Sequence, residues 1–231
     1  GAMAANLVVA YPDLYAGAAV HSGLQYDAAD DLTEAGEVMQ NGGPDPQVTG
    51  SQAYRDMGDH ATVVPTIVFH GTGDTTVAPI NGVQAAEQAT QMNDLAENDG
   101  EDADTIDYTP DRVLDGQASG VPAGRKYTRY EYHDGGGQPV VVTYLIDGMG
   151  HAWSGGSPGG SFTDSSGPDA SYLIWDFFEA NAEQTRAPVA DANSVVAAVG
   201  EPVTLYGRGS VDPDGTIVRF EWQFGDGTEA A

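Results

Sequence analysis

Apolar residues along this chain fall into short strand-like runs separated by turns. Runs rich in β-branched residues predict strands at 16–21 and 62–70, and the second is the clearer of the two. Two further strands, at 126–133 and 138–147, flank the glycine-rich segment 134–137. Glycines between two strand-like runs are typical of a hairpin turn. The pattern therefore predicts a sheet that includes one antiparallel pair.

Three segments between these runs have the composition or spacing of helices. Residues 2–10 are mostly small and apolar, and residues 81–98 and 171–183 carry apolar side chains near helical spacing. Strands that alternate with helices are typical of an α/β layer architecture. We therefore predict an α/β domain over residues 1–184, with the hairpin as an antiparallel or mixed part of its sheet.

The remaining segments are polar or change in composition. Residues 25–60 are rich in Gly, Asp and Pro and predict irregular structure. Residues 94–115 hold nine acidic side chains, which indicates a solvated surface segment. From residue 185 to residue 231 no helical pattern occurs, and turns rich in Gly, Asp and Pro separate predicted strands. These strands lie at 195–199, 202–206 and 217–224. Residues 185–231 are therefore predicted to be part of a small all-β domain.

The charge balance is strongly acidic, with 35 Asp and Glu against 8 Lys and Arg and a net charge of −27. Such a chain repels the phosphates of nucleic acids and of anionic membranes, so neither is an expected partner. Three Trp, eleven Tyr and six Phe argue against a disordered acidic protein. We expect a folded, halophilic protein whose acidic, hydrated surface keeps it soluble in concentrated salt.

Several kinds of site and location are disfavoured by the same sequence. No apolar run approaches the roughly 20 residues that span a bilayer, so membrane insertion is not expected. The absence of cysteine excludes disulfides and thiolate metal sites. Four histidines show no spacing typical of a metal site: His21, His60, His70 and His133. No metal or other cofactor is therefore expected.

Asp74 occupies a position suited to an acid of a catalytic site. The predicted strand 62–70 runs into the turn Gly71-Thr-Gly-Asp74, so the aspartate lies at a strand end. A carboxylate held there can accept the Nδ1 hydrogen of a histidine, which leaves Nε2 free and stabilises the imidazolium. Alternatively, Asp74 only caps its own turn, which is a common task for aspartate in such a sequence.

His151 follows the predicted strand 138–147 in the segment Gly148-Met-Gly-His151-Ala-Trp153. The glycines allow a sharp turn that brings the imidazole to the strand tip. A histidine on a surface turn with no catalytic task has the same local pattern. However, an acid followed by a histidine, each after a strand, matches the Ser–Asp–His order of α/β-hydrolases. The pair therefore predicts a general base, His151, oriented by Asp74.

The same motifs resemble those of secreted esterases of the polyhydroxybutyrate depolymerase type, to which feruloyl and acetylxylan esterases are related. The resemblance covers residues 1–184 and rests on His70–Val77, Gly148–Gly156 and Gly167–Phe178. It implies the C-terminal part of an α/β-hydrolase sheet-and-helix sandwich, secretion, and an acyl-enzyme mechanism with Ser, His and Asp. The implied substrate is a polyhydroxyalkanoate or an ester-decorated polysaccharide.

The serine that this mechanism needs is missing, because the single Gly-x-Ser-x-Gly of the 231 residues, Gly155–Gly159, follows His151 and does not precede Asp74 as the Ser–Asp–His order requires. In the family, Gly-x-Ser-x-Gly-Gly-Ala-Met leads into a helix and then Tyr-Pro-Asp, and this chain runs from Gly1-Ala-Met to Tyr11-Pro-Asp13. The resemblance thus implies an N-terminally truncated domain whose serine precedes Gly1 by three residues. Ser22 is predicted to be structural, and Ser154 lies too near His151 in sequence. We expect these 231 residues alone to be inactive.

The segment after residue 185 resembles a PKD domain, an immunoglobulin-like sandwich. The resemblance rests on Ala187–Asp191, Gly209–Gly215 and Phe220–Gly227. It implies a partial PKD module over 185–231 with Trp222 as a buried core residue. Asp212 and Asp214 are interpreted as turn residues rather than calcium ligands, because no full set of oxygen ligands is evident.

Two tryptophans of the first domain have predicted positions. Trp153 either binds substrate, as the resemblance implies, or packs within its loop, whereas Trp175 is predicted to be a core residue of the helix 171–183.

One alternative function is a peptidase of the prolyl-oligopeptidase type, against which the Gly-His-Ala-Trp loop argues. The other is a non-catalytic secreted binding protein that acts through its PKD module, and the absent serine keeps that option open.

The acidic composition generates a test in solution. At molar salt the Debye length falls to about 3 Å, so repulsion between the carboxylates is largely screened. We predict that the protein loses secondary structure in dilute buffer and retains it in about 3 M salt. Circular dichroism at both salt concentrations is the measurement. Equal stability in the two solutions would contradict the prediction.

Overall fold

The computed structural model describes residues 1–121, 123–182, 189–193, 195–198, 200–211, 217, 219–223 and 229–230. The chain divides into two compact units, Gly1–Phe178 and Glu179–Ala231. The predicted boundary between residues 184 and 185 stays a prediction. Among the residues described, no helix is both long enough and apolar enough to cross a bilayer.

A five-stranded mixed sheet forms the centre of the first unit. Its strands are β1 (Ala18–His21), β2 (Thr66–Gly71), β3 (Arg112–Gln117), β4 (Lys126–His133) and β5 (Pro139–Ile146). The spatial order is β1-β2-β5-β4-β3, in which β1, β2 and β5 are parallel and β4 and β3 are antiparallel to their neighbours. The predicted hairpin is β4–β5, and the α/β prediction is confirmed.

Helices cover both faces of this sheet. They are α1 (Ala2–Ala10), α2 (Leu32–Asn41), α3 (Pro46–Met57), α4 (Ile80–Glu97) and α5 (Ala170–Ala182), and a 3-10 turn spans Gly58–His60. Successive side chains of a strand point to opposite faces, so β2 contributes to two cores. Val68 packs with α1 and α4 on one face, and Phe69 packs with Phe177 of α5 on the other.

The prediction of irregular structure over 25–60 is wrong, because α2 and α3 lie there. Each helix begins at an aspartate N-cap. Asp31 accepts hydrogen bonds from the backbone of Thr33 and Glu34, and Asp45 accepts one from Gln47. Such caps satisfy backbone N–H groups that the first helical turn leaves unpaired. The polar composition that suggested a loop therefore includes the residues that start both helices.

The acidic segment 94–115 is not solvated throughout. Asp94 of α4 is only 1% exposed. Its carboxylate accepts hydrogen bonds from the four successive backbone N–H groups of residues 103–106, at 2.7–3.2 Å. Buried polar groups are normally paired in this way. One buried carboxylate thus holds the backbone of a segment whose other acidic side chains are mostly exposed.

The prediction that Trp175 is a core residue is also wrong. Trp175 is 66% exposed and Tyr172 is 62% exposed, whereas Phe177 is 7% exposed and packs on the sheet. Helix α5 carries apolar residues around much of its circumference, and only one stripe of a helix can face a sheet. The sequence pattern therefore did not distinguish the buried face from the exposed one.

The second unit contains little regular structure among its described residues. An isolated antiparallel bridge joins Val189 to Val211, and β8 (Trp222–Gln223) pairs with β9 (Glu229–Ala230). Predicted strands are absent at 195–198 and 202–206, where Asn193 instead bonds the backbone of residues 204 and 206. Trp222 is half-buried rather than fully buried. Asp212 and Asp214 lie outside the described residues.

The turns that follow β2 and β5 touch each other through their backbones. Thr72 donates a backbone hydrogen bond to Ile146, and Gly73 donates one to Met149. Gly71 lies so close to Met149 that an added Cβ would overlap the Met149 carbonyl oxygen. A residue without a side chain is therefore required at position 71.

Two glycine substitutions are predicted to have opposite effects on stability, and only the first of them disturbs this contact. Gly71→Ala lowers the free energy of unfolding by about 1–3 kcal/mol, the usual cost of overpacking. Gly36→Ala, in the interior of α2 with no atom within 4 Å of the added Cβ, raises it by about 0.5–1 kcal/mol. Urea unfolding of both variants is the measurement. Equal stability of the Gly71→Ala variant and the unaltered protein would contradict the close approach.

Candidate active site

A short hydrogen bond joins the two predicted site residues. The Nδ1–H of His151 donates to Oδ2 of Asp74 across 2.8 Å, although the residues are 77 positions apart in sequence. Asp74 lies in the turn after β2, and His151 lies in the turn after β5. Because β2 and β5 are parallel neighbours, both turns leave the sheet at the same edge. The fold thus brings Asp74 and His151 together.

The surroundings of Asp74 fix its carboxylate and its charge. Its side chain is 0% exposed, and Oδ1 accepts hydrogen bonds from the backbone of Thr76 and Val77, both at 2.9 Å. Burial alone would raise the pKa of Asp74, but the hydrogen bonds from Val77, His151 and Thr76 outweigh it and leave the pKa below its usual value. Asp74 therefore caps its turn and bonds His151 at the same time.

The imidazole of His151 is held by one nitrogen and open at the other. Its side chain is 34% exposed. Since the ionised Asp74 can only accept, the neutral imidazole of His151 has its proton on Nδ1 and its lone pair on Nε2. In the part of the chain that the structure describes, no side chain forms a hydrogen bond with Nε2 of His151. This is the tautomer and orientation that a general base needs.

The segment after His151 enters a short two-stranded sheet. Strand β6 (Trp153–Ser154) pairs in parallel with β7 (Thr163–Asp164). Trp153 is 38% exposed and stacks on the ring of His21, with ring centroids 4.7 Å apart. The structure thus places Trp153 two residues from His151, with part of its ring open to solvent.

His21 contributes to this region, although the sequence argument had not selected it. It ends β1, its side chain is buried, and it stacks between Trp153 and Phe69. Burial and the nearby His70, Gly1 amino group and His151 lower its pKa to about 4, against an opposing effect of Asp74. The sequence signal that could have identified His21 is its position at the end of a predicted strand, in Val20-His-Ser.

His70 is a second residue that the sequence argument missed. It is fully buried, its Nε2–H donates to the carbonyl of Val77 at 2.9 Å, and that nitrogen lies 3.6 Å from Oδ2 of Asp74. Burial lowers the pKa of His70 and outweighs the opposing effects of Val77 and Asp74. A neutral His70 therefore supports the turn of Asp74 without adding a charge beside it.

Neither candidate serine is available to His151. The hydroxyl of Ser154 is buried and donates to the carbonyl of Pro168 at 2.6 Å. Ser22 is also buried, and its hydroxyl lies 3.1 Å from Nδ1 of His21. Within the described ranges, no group of three or more His, Asp or Glu side chains is arranged to hold a metal ion.

Two family models match parts of this chain. Residues 1–107 match the family model described as Esterase PHB depolymerase. Over these residues the chain is similar to that esterase family. Residues 185–231 match the model of the PKD domain. Both resemblances predicted from the motifs, to esterases of the PHB depolymerase type and to a PKD domain, are therefore confirmed.

One curated relative and one solved structure extend the comparison. Poly(3-hydroxyalkanoate) depolymerase C from Paucimonas lemoignei is 32% identical over 151 residues, which cover 64% of this chain and 32% of that protein. The chain thus spans about a third of the length of this relative. The acetyl xylan esterase from Aspergillus awamori has a TM-score of 0.49 and 18% identity, over 76% of this chain and 55% of that one.

The low pKa of His21 predicts how stability depends on pH. An unfolded histidine titrates near 6.5, so between that pH and about 4 the unfolded chain gains a proton that the folded His21 does not. The free energy of unfolding therefore falls by about 2 kcal/mol between pH 7 and pH 5 because of His21. Urea unfolding should therefore show that the stability of the His21→Phe variant falls by about 2 kcal/mol less over this interval.

The difference between the two proteins isolates His21, because carboxylates and His70 titrate in both. Parallel stability curves from pH 7 to pH 5 would contradict a buried neutral His21.

Proposed function

We propose that this chain supplies the general base and the orienting acid of a secreted serine esterase. The nucleophilic serine of the proposed site comes from outside these 231 residues. The observation that carries the proposal is the hydrogen bond from Nδ1 of His151 to Asp74, which leaves Nε2 of His151 free. The match of residues 1–107 to the esterase PHB depolymerase family model supports an ester bond as the target rather than a peptide bond.

In the proposed reaction, Nε2 of His151 takes the proton of the serine hydroxyl as the serine oxygen attacks the ester carbonyl carbon. The tetrahedral intermediate then releases the alcohol, which leaves with that proton, and an acyl-enzyme remains. His151 next removes a proton from water, the hydroxide attacks the acyl carbon, and the serine regains its proton as the carboxylic acid departs. Asp74 stays ionised throughout and stabilises the imidazolium form of His151.

The start of α1 is the proposed location of that serine. An added Cβ on Gly1 would overlap backbone atoms of His21 and Gly23, so the helix begins against the carboxyl end of β1. A serine just before α1 would lie at this end of the sheet, and the helix N-terminus favours negative charge on an oxyanion.

The proposed substrate is a polyhydroxyalkanoate or a polysaccharide that carries ester groups. The name of the 32% identical relative gives the first option, and the motif resemblance to feruloyl and acetylxylan esterases gives the second. A half-exposed Trp153 beside His151 offers an aromatic surface for either polymer. Because such polymers are too large to enter a cell, the proposal includes an extracellular location.

The test uses a longer protein that includes the proposed serine, assayed on p-nitrophenyl esters. His151→Ala is expected to lower kcat on the order of 10⁶-fold, because the serine then lacks its base. His60→Ala is the matched control, since His60 is an exposed histidine of the 3-10 turn, and it should retain full activity.

The 231-residue chain provides a second arm of the same test. It should resist labelling by a fluorophosphonate, whereas the longer protein should be labelled at one serine. Full activity of the His151→Ala variant would overturn the proposed base. An inactive longer protein would favour the alternative of a non-catalytic binding protein.

A further inference from the structure

His21 makes two kinds of contact with the segment that follows His151. Its ring stacks against Trp153 at 4.7 Å with an interplanar angle of 18°, and against Phe69 at 5.6 Å and 10°. Its Nε2 also accepts a hydrogen bond from the backbone N–H of Ser154 at 3.0 Å, across 133 positions of sequence. One side chain of β1 therefore contacts both residues of β6.

The hydrogen bonds define a single state of the His21 ring. Because the Ser154 N–H is a donor, Nε2 must carry a lone pair, and the ring proton of neutral His21 then lies on Nδ1. That Nδ1–H donates to the hydroxyl of Ser22 at 3.1 Å. Ser22 has a left-handed backbone with φ of 47°, a conformation that is uncommon for a serine. Both ring nitrogens of neutral His21 are thus satisfied.

Other contacts hold the outer part of the same loop. Trp153 donates its backbone N–H to Phe162 at 2.8 Å, and Arg125 binds Asp164 of β7 at 2.6 Å. These bonds fix the backbone of β6 and β7, whereas the Trp153 ring itself stacks on His21. The direction of the indole beside His151 therefore depends on His21.

We propose that His21 is a positioning residue of the site, which orients the Trp153 ring by stacking and fixes the Ser154 backbone through Nε2. The inference rests on the proposed function only in that Trp153 contacts the substrate. Phenylalanine would stack equally well but would leave the buried Ser154 N–H unpaired, and glutamine offers an acceptor but no ring. Histidine combines both properties at this position.

The stacking contact and the hydrogen bond of His21 can be tested separately with two variants, His21→Gln and His21→Phe. The first test uses the 231-residue chain labelled with 5-fluorotryptophan. Fluorine NMR gives one resonance for each of Trp153, Trp175 and Trp222, with Trp153→Phe used for assignment. His21→Gln should shift or broaden the Trp153 resonance and leave the other two unchanged, and an unaltered circular dichroism spectrum shows that the variant is folded. An unchanged Trp153 resonance would overturn the orienting role.

Hydrogen exchange of the Ser154 amide tests the second contact. The exchange rate should rise about tenfold in His21→Phe, which loses one hydrogen bond, and should stay near that of the unaltered chain in His21→Gln. His60→Gln is the matched control and should change neither the fluorine spectrum nor the exchange rate. Equal exchange in all variants would refute the role of Nε2.

Kinetics of the longer, serine-containing protein separate this inference from the proposed function. His21→Gln should raise KM for a long-chain acyl ester about tenfold, the equivalent of one aromatic contact, with kcat changed less than about threefold. An unchanged KM, with activity that still depends on His151, would refute the positioning role and retain the esterase. Activity that does not depend on His151 would refute the esterase, while the two spectroscopic tests would still decide the role of His21.

Discussion

The parallel pairing of β2 with β5 is the constraint on which the candidate site depends. Thr66 to Gly71 pair with Val141 to Ile146 without a break, so the turns that follow the two strands begin at the same edge of the sheet. A shift of one residue would exchange the two faces of β5, and the core behind Phe69 would be lost. The hydrogen bond between Asp74 and His151 is therefore a consequence of strand register as much as of local sequence.

The strand register also links the site to the hydrophobic core. His21 pairs with Phe69, and Phe69 pairs with Tyr144, so three neighbouring strands carry a row of stacked rings. The row ends in Trp153 on one side and in Arg129, above Tyr144, on the other. Side chains in such a row pack closely, and a change in one ring is transmitted to its neighbours. The exposed part of the site is thus continuous with the packed interior.

Local signals were sufficient to predict that Asp74 and His151 are paired, because each follows a strand and a glycine turn. They were not sufficient for His21, whose partner Ser154 lies 133 positions away, or for His70, whose role comes from burial beside Asp74. Helices α2 and α3 were missed because their caps are polar residues that also favour loops. Trp175 was misplaced because an apolar residue on a helix does not reveal which face meets the sheet.

The close approach of Gly71 to Met149 has a consequence for how charge would develop in the proposed reaction. Two turns that leave no space for a methyl group cannot move apart without breaking backbone hydrogen bonds. The carboxylate and the imidazole consequently keep their separation before and after proton transfer, and little dipolar reorganisation accompanies the appearance of the imidazolium. The free-energy cost of arranging these groups is met once, when the chain folds, and does not recur at each turnover.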